Sequence, residues 1–106
     1  MLSIRFDSRN EWWVSGGAFT RLFQAAQKDG LMAKDLEQWL HVADANGGLD
    51  VSQIAPAEAV RLATALRSTA EREVQRLRDL TPTSDDGSYR ASLQKLLALD
   101  NIAALR

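Results

Sequence analysis

Glu37, His41 and Asp44 stand at i, i+4 and i+7, a spacing that lines three ionisable side chains along one side of a helix, where they could share a metal ion or pass a proton. His41 is the only histidine, so a zinc site would have to recruit Asp50, Glu58, Asp85 or Asp86, and nothing in the sequence brings these there. The simpler reading is a solvated helix face, with His41 near a C-terminal end that favours its charge. Ser15 precedes Gly16 and Gly17 but lacks the surroundings of a nucleophile elbow, and two adjacent glycines match no phosphate-cradling loop. The run from Asp44 to Asp50 alternates oxygen-bearing side chains as a calcium loop does. Leu49 occupies the sixth position, where glycine is needed, and Ala55 the twelfth, where a bidentate glutamate is needed. It reads as a helix end and turn, so no catalytic residue, metal or cofactor is expected.

Binding chemistry has better candidates. Arg61, Arg72 and Arg76 fall within about 60° of one another on a helical projection, and guanidinium groups pair bidentately with carboxylates and phosphates. Glu58, Glu71 and Asp79 interleave with them, and no aromatic residue lies alongside to stack on bases. An ion-paired or protein-binding face is therefore preferred to nucleic-acid binding. Glu73 projects into the apolar arc of the same helix. Either it sits at the edge and bends its stem to water, or it is a partly buried carboxylate paired with an arginine or facing a partner. Trp12 and Trp13 are consecutive, so on a strand they point to opposite faces, one into the core and one outward as an interface anchor. Phe19 and Phe23 follow soon after and favour Trp13 as the inner one.

The elements that carry these residues follow from hydrophobic period. Leu2, Ile4 and Phe6 alternate with polar residues as in a strand, and Ser8-Arg9-Asn10 turns the chain into the β-prone Glu11-Trp12-Trp13-Val14, making a hairpin. Phe19, Leu22, Phe23 and Ala26 mark a first helix ending at Asp29-Gly30. Met32, Leu36, Trp39, Leu40 and Ala43 mark a second, ending at Asn46-Gly47-Gly48. Residues 49–52 alternate and would add a short strand. Pro56 opens a third helix that runs to Leu80 with Ala59, Leu62, Ala63, Leu66, Ala70, Val74, Leu77 and Leu80 on one stripe. Residues 81–88 read as a loop, and Tyr89, Leu93, Leu96 and Leu97 mark a fourth helix, with a last turn carrying Ile102 and Leu105.

The chain has 106 residues, 45% of them hydrophobic and 25% charged, which suits one compact domain spanning 1–106. Its lack of cysteine excludes disulfides, thiolate metal sites and thiol nucleophiles. The start, MLSIRFDSRNEWW, lacks an export pattern, and no stretch approaches a membrane span, so the cytoplasm is the expected compartment. A net charge of −1 gives no overall attraction to nucleic acid or anionic lipid.

Leu22 to Gly30, Trp39, the Gly47-Gly48-Leu49-Asp50-Val51 turn and Glu58-Ala59 to Ala65-Leu66 together resemble a layout found in small bacterial proteins. Some of these are immunity proteins that neutralise a toxin by binding it. The resemblance covers about two-thirds of the chain, rests on apolar spacing and one Gly-Gly turn, and transfers no site.

The fold expected is α+β and mostly α: an antiparallel bundle of about four helices with a small N-terminal β-hairpin. The function expected is non-catalytic protein binding, of immunity or adaptor type, with a protein partner or self-association through Trp12, Trp13, Arg61, Arg72, Glu73 and Arg76. Two other readings are a small metal- or ligand-binding protein or enzyme built on Glu37, His41 and Asp44, and nucleic-acid binding through the third-helix arginines.

Overall fold

The computed structural model describes residues 1–7, 9–78 and 84–99. Strands β1 (Leu2–Arg5) and β2 (Glu11–Val14) form the expected hairpin, antiparallel, with Ile4 opposite Trp12 and Ser3 opposite Trp13. The turn is held by Asp7, whose carboxylate accepts from the backbone N–H of Arg9 at 2.7 Å and of Asn10 at 2.8 Å. Helix α1 (Gly16–Lys28) is capped by Ser15, whose hydroxyl oxygen accepts from Ala18 N–H at 3.1 Å. It ends at Asp29, and Gly30 adopts a φ of 72°. Leu31 N–H then reaches back to the Ala26 carbonyl at 2.8 Å, which closes the turn.

The second helix is shorter than its apolar period implies. Met32 is buried ahead of it in non-helical chain, and a 3-10 turn at Lys34–Leu36 precedes α2 (Gln38–Asn46). Buried leucine and methionine at helical spacing serve a connecting segment packed on the core as well as a helix, so the period overran the element. Gly47, with φ 71°, ends α2 and turns the chain into β3 (Gly48–Asp50). This third strand starts one residue earlier than expected and ends two earlier, because Val51 and Ser52 enter a 3-10 turn (Val51–Gln53), and it pairs parallel with β1, so the sheet order is β2-β1-β3. Gly48 is required there, because a Cβ on it would lie 2.3 Å from the Ser3 carbonyl oxygen.

Helix α3 (Pro56–Arg78) follows a 3-10 turn, and α4 (Ser84–Leu97) packs on it in the most extensive helix–helix contact. Helix α4 begins inside the segment 81–88 read as a loop. Ser84, Asp85 and Asp86 are turn formers, but the same residue types favour a helix N-terminus. The end of the third helix at Leu80 and the last turn at Ile102 and Leu105 lie outside the described residues.

One continuous core joins the inner face of the sheet to all four helices. Leu2, Ile4, Trp12 and Val14 contribute from the hairpin, Phe19, Leu22 and Phe23 from α1, Leu62, Leu66 and Leu77 from α3, and Tyr89, Leu93 and Leu96 from α4. The α+β, mostly helical build inferred from the sequence is the one observed, with a parallel third strand added to the hairpin.

Candidate functional site

The hairpin settles the two consecutive tryptophans in the order opposite to that expected. Trp12 is 1% exposed and Trp13 is 55% exposed. Pairing with Ile4 puts Trp12 on the face that β1 turns to the helices. There its ring meets Phe19 edge-on at 6.3 Å, and its Nε1–H donates to the Ser92 carbonyl of α4 at 2.9 Å. The deciding signal lies within β2 itself. Trp13 shares its face with Glu11 and Trp12 shares its face with Val14, so alternation marks Trp13 as the outer residue, whatever follows in α1.

The outer face of the sheet carries two rows. Trp13, Ser3 and Gly48 form one, and Glu11, Arg5 and Asp50 the other. Arg5, Glu11 and Trp13 are exposed, and Ser3 donates its hydroxyl hydrogen to Glu11, tying β1 to β2 across this face. The result is a large aromatic ring standing in water, flanked by fixed polar groups.

A second surface lies between α1 and α3. Arg21, Gln24, Ala25 and Lys28 project from α1 at i, i+3, i+4 and i+7, facing Arg72, Glu73 and Arg76 of α3 across a groove. Glu73 is 7% exposed, and so belongs to the paired, buried alternative. Its carboxylate accepts from Arg76 Nε at 2.7 Å and from the Tyr89 hydroxyl at 3.0 Å. Burial opposes its charge, but these two hydrogen bonds and the positive charges of Arg76 and Arg21 outweigh burial and hold the carboxyl below its ordinary value. Tyr89 is driven the other way, by burial first and then by the adjacent Glu73 charge, so its phenol stays protonated well above the usual tyrosine range. The Arg21 guanidinium carbon lies 4.1 Å from the centre of the Tyr89 ring, a cation–π contact on the face of the ring.

The three arginines grouped on the helical projection do not act together. Arg72 and Arg76 line the α1–α3 groove. Arg61 is bound bidentately by Asp35 at 2.9 and 3.0 Å, three turns away. That pairing holds Asp35 below its ordinary value. A projection down the axis superposes residues that are about 16 Å apart along it, which is why the grouping dissolves. The sequence reading passes over Arg21 and Lys28 and takes Tyr89 only as an apolar marker of the fourth helix. Arg21 and Lys28 stand opposite the apolar stripe of α1 and gain meaning only from the neighbour they face.

Glu37 immediately precedes α2, while His41 and Asp44 are exposed along it. Among the described residues, no three His, Cys, Asp or Glu side chains gather closely enough to hold a metal ion. Among the same residues, no helix is long and apolar enough to cross a membrane. No protein-family model, curated protein or solved structure matches the chain significantly.

Proposed function

We propose that the protein is a non-catalytic binding domain that docks a protein partner, or a second copy of itself, on the outer face of its sheet. Trp13 is the anchor. The observation that carries the reading is the contrast within one dipeptide: Trp12 is fully used by the core, whereas Trp13 leaves most of an indole in water. Exposed tryptophan has a cost in solubility, and aromatic rings of this kind are the residues most often found at the energetic centres of interfaces. Glu11 and Arg5 beside it supply opposite charges that would fix the orientation of a partner.

Such a domain works by occupying a surface, which is the action of an immunity-type or adaptor protein, and the cytoplasm remains the proposed compartment. The test compares wild-type, Trp13→Phe and Trp13→Ala proteins as bait in extracts of the native host, with self-association followed by sedimentation. Retention by wild type and Phe with loss by Ala supports the reading. Equal retention by all three removes the sheet face from it. A toxin gene beside this one, with its product among the retained proteins, would select the immunity form.

A further inference from the structure

With Trp13 as the anchor, on which this inference rests, we propose that the outer edge of β2 docks a second copy of the same chain. The copy adds its own β2 antiparallel, so that two three-stranded sheets become one.

The edge follows from the bonding of the hairpin. Phe6 N–H donates to the Asn10 carbonyl at 2.8 Å, so in this register the next pairs to exchange bonds are Ile4 with Trp12 and Leu2 with Val14. The far side of β1 agrees, because Ser3 N–H points away from β2, to the Gly47 carbonyl at 3.3 Å. The N–H and C=O groups of Glu11 and Trp13 therefore point outward, and β2 is the end strand in the order β2-β1-β3. Among the described residues, nothing bonds to these main-chain groups. Helix α4 is bonded to β2 through the Trp12 indole on the inner face, not through this edge.

Outward main-chain donors and acceptors in a row take an extended polypeptide, and a second β2 matches them group for group. With Glu11 of each copy opposite Trp13 of the other, both pairs exchange two bonds and no outward group of either strand is left over. Placing Trp13 opposite its own counterpart would align Glu11 with Ser15 of the other copy. The Ser15 carbonyl is already taken by Phe19 N–H at 3.0 Å, so that register forms fewer bonds.

Side chains favour the same pairing. The two Trp13 rings become diagonal neighbours on the outer face, about 7–8 Å apart at the backbone and within reach of each other. Each then covers part of an indole that is 55% exposed in the single chain. The two Glu11 residues are also diagonal, but Ser3 holds each carboxylate towards its own β1, where Arg5 stands opposite. Sheet edges are commonly kept apart by lysine or proline, and β2 has neither. A two-fold axis normal to the sheet leaves the helices of both copies on its inner side.

The experiment follows sedimentation and amide hydrogen exchange of the full chain from micromolar to millimolar concentration. The result expected is a monomer–dimer equilibrium in which the Glu11 and Trp13 amides gain protection as the dimer forms. Those of Trp12 and Val14, bonded within the hairpin, should be protected throughout. Glu11→Pro removes one outward N–H without touching a bond to β1, and should weaken association about tenfold or more, whereas Glu11→Gln should leave it near wild type. Should the proline loosen the hairpin, the concentration dependence of wild-type exchange decides alone. A monomer at every concentration, a dimer whose Glu11 and Trp13 amides stay unprotected, or protection that needs an added host protein would overturn the proposal. If wild type is monomeric yet a host protein is retained by wild type and Glu11→Pro and lost by Trp13→Ala, the edge fails while the sheet face stands.

Discussion

The phenol of Tyr89 on α4 donates a 3.0 Å hydrogen bond to the carboxylate of Glu73 on α3, and both groups are shielded from water. Each fixes the protonation of the other. Burial and the neighbouring negative charge raise the Tyr89 pKa, so the phenol's contribution to folding is complete below its unfolded value, near 10.0. It is lost only as pH climbs through the higher folded value. Tyr89 is the only tyrosine in the chain, so phenolate absorbance reports it without ambiguity. We expect no phenolate as pH passes through the ordinary tyrosine range, until the protein unfolds, and a lower midpoint in Glu73→Gln. Ionisation at the ordinary value in the folded protein would show that the pair is not formed.

Glu73 sets the acid limb. Its folded pKa lies below the unfolded value of 4.5, so its ion pair and hydrogen bonds contribute fully above that value and fade as pH falls through the lower one. Chemical denaturation across this window should find Glu73→Gln less stable than wild type near neutrality, with the gap narrowing in acid. A gap independent of pH would mean that the carboxylate charge is not what stabilises.

The tryptophans should separate cleanly on substitution. Trp12→Ala removes a fully buried ring and its hydrogen bond to α4, and should cost about 3–5 kcal/mol. Trp13→Ala should stay within about 0.5 kcal/mol of wild type. Equal losses in denaturant would show that the outer face of the sheet is covered.

Gly48→Ala places a methyl group against the Ser3 backbone, where neither strand has a flexible side chain to move aside. A loss of about 1–3 kcal/mol is expected. Hydrogen exchange should locate it, with amides of the β1–β3 pairing losing protection before those between β1 and β2. Uniform loss would point away from the strand contact.

Thr69 is fully buried on α3, and its hydroxyl has no hydrogen-bond partner among the described residues. Thr69→Val keeps the shape and removes the stranded hydroxyl, so it should raise stability by about 1 kcal/mol, whereas Thr69→Ser keeps the hydroxyl, opens a gap and should lower it. A destabilised valine variant would reveal a bound water or another partner serving the hydroxyl.

Periodicity carried the fold a long way because it is a local property. The α3 stripe lies within one element and is buried at Ala59, Leu62, Ala63, Leu66, Ala70 and Leu77, with Val74 half-buried, while the alternating Leu2, Ile4 and Phe6, all buried, span β1 and the residue just after it. What depends on two elements meeting was not legible. The parallel pairing of Ile4 with Leu49 joins residues separated by two helices, and nothing in either strand names the other. Glu73 was recognisable as a charge within an apolar arc, but its partner Tyr89 depended on how α4 is rotated against α3. The inner tryptophan was legible from Glu11 and Val14 and was misassigned by giving weight to the aromatics beyond the hairpin. The groove between α1 and α3 takes one wall from each of two helices, so only its α3 half had a signal.

The sheet order has a consequence for the path to the native state. The middle strand, β1, comes first in sequence and finds one neighbour across a tight turn, but its other neighbour becomes available only after α1 and α2 have been traversed. The hairpin can close early and cheaply, whereas the parallel edge pays a long loop-closure entropy that is recovered only once the intervening helices are packed. Until that moment β1 has an unpaired edge and the inner faces of Ile4 and Trp12 lack part of their cover. The topology therefore predicts that β3 joins after the hairpin has closed, and that substitutions weakening the β1–β3 pairing leave β1 with an open edge able to pair with another copy of the chain.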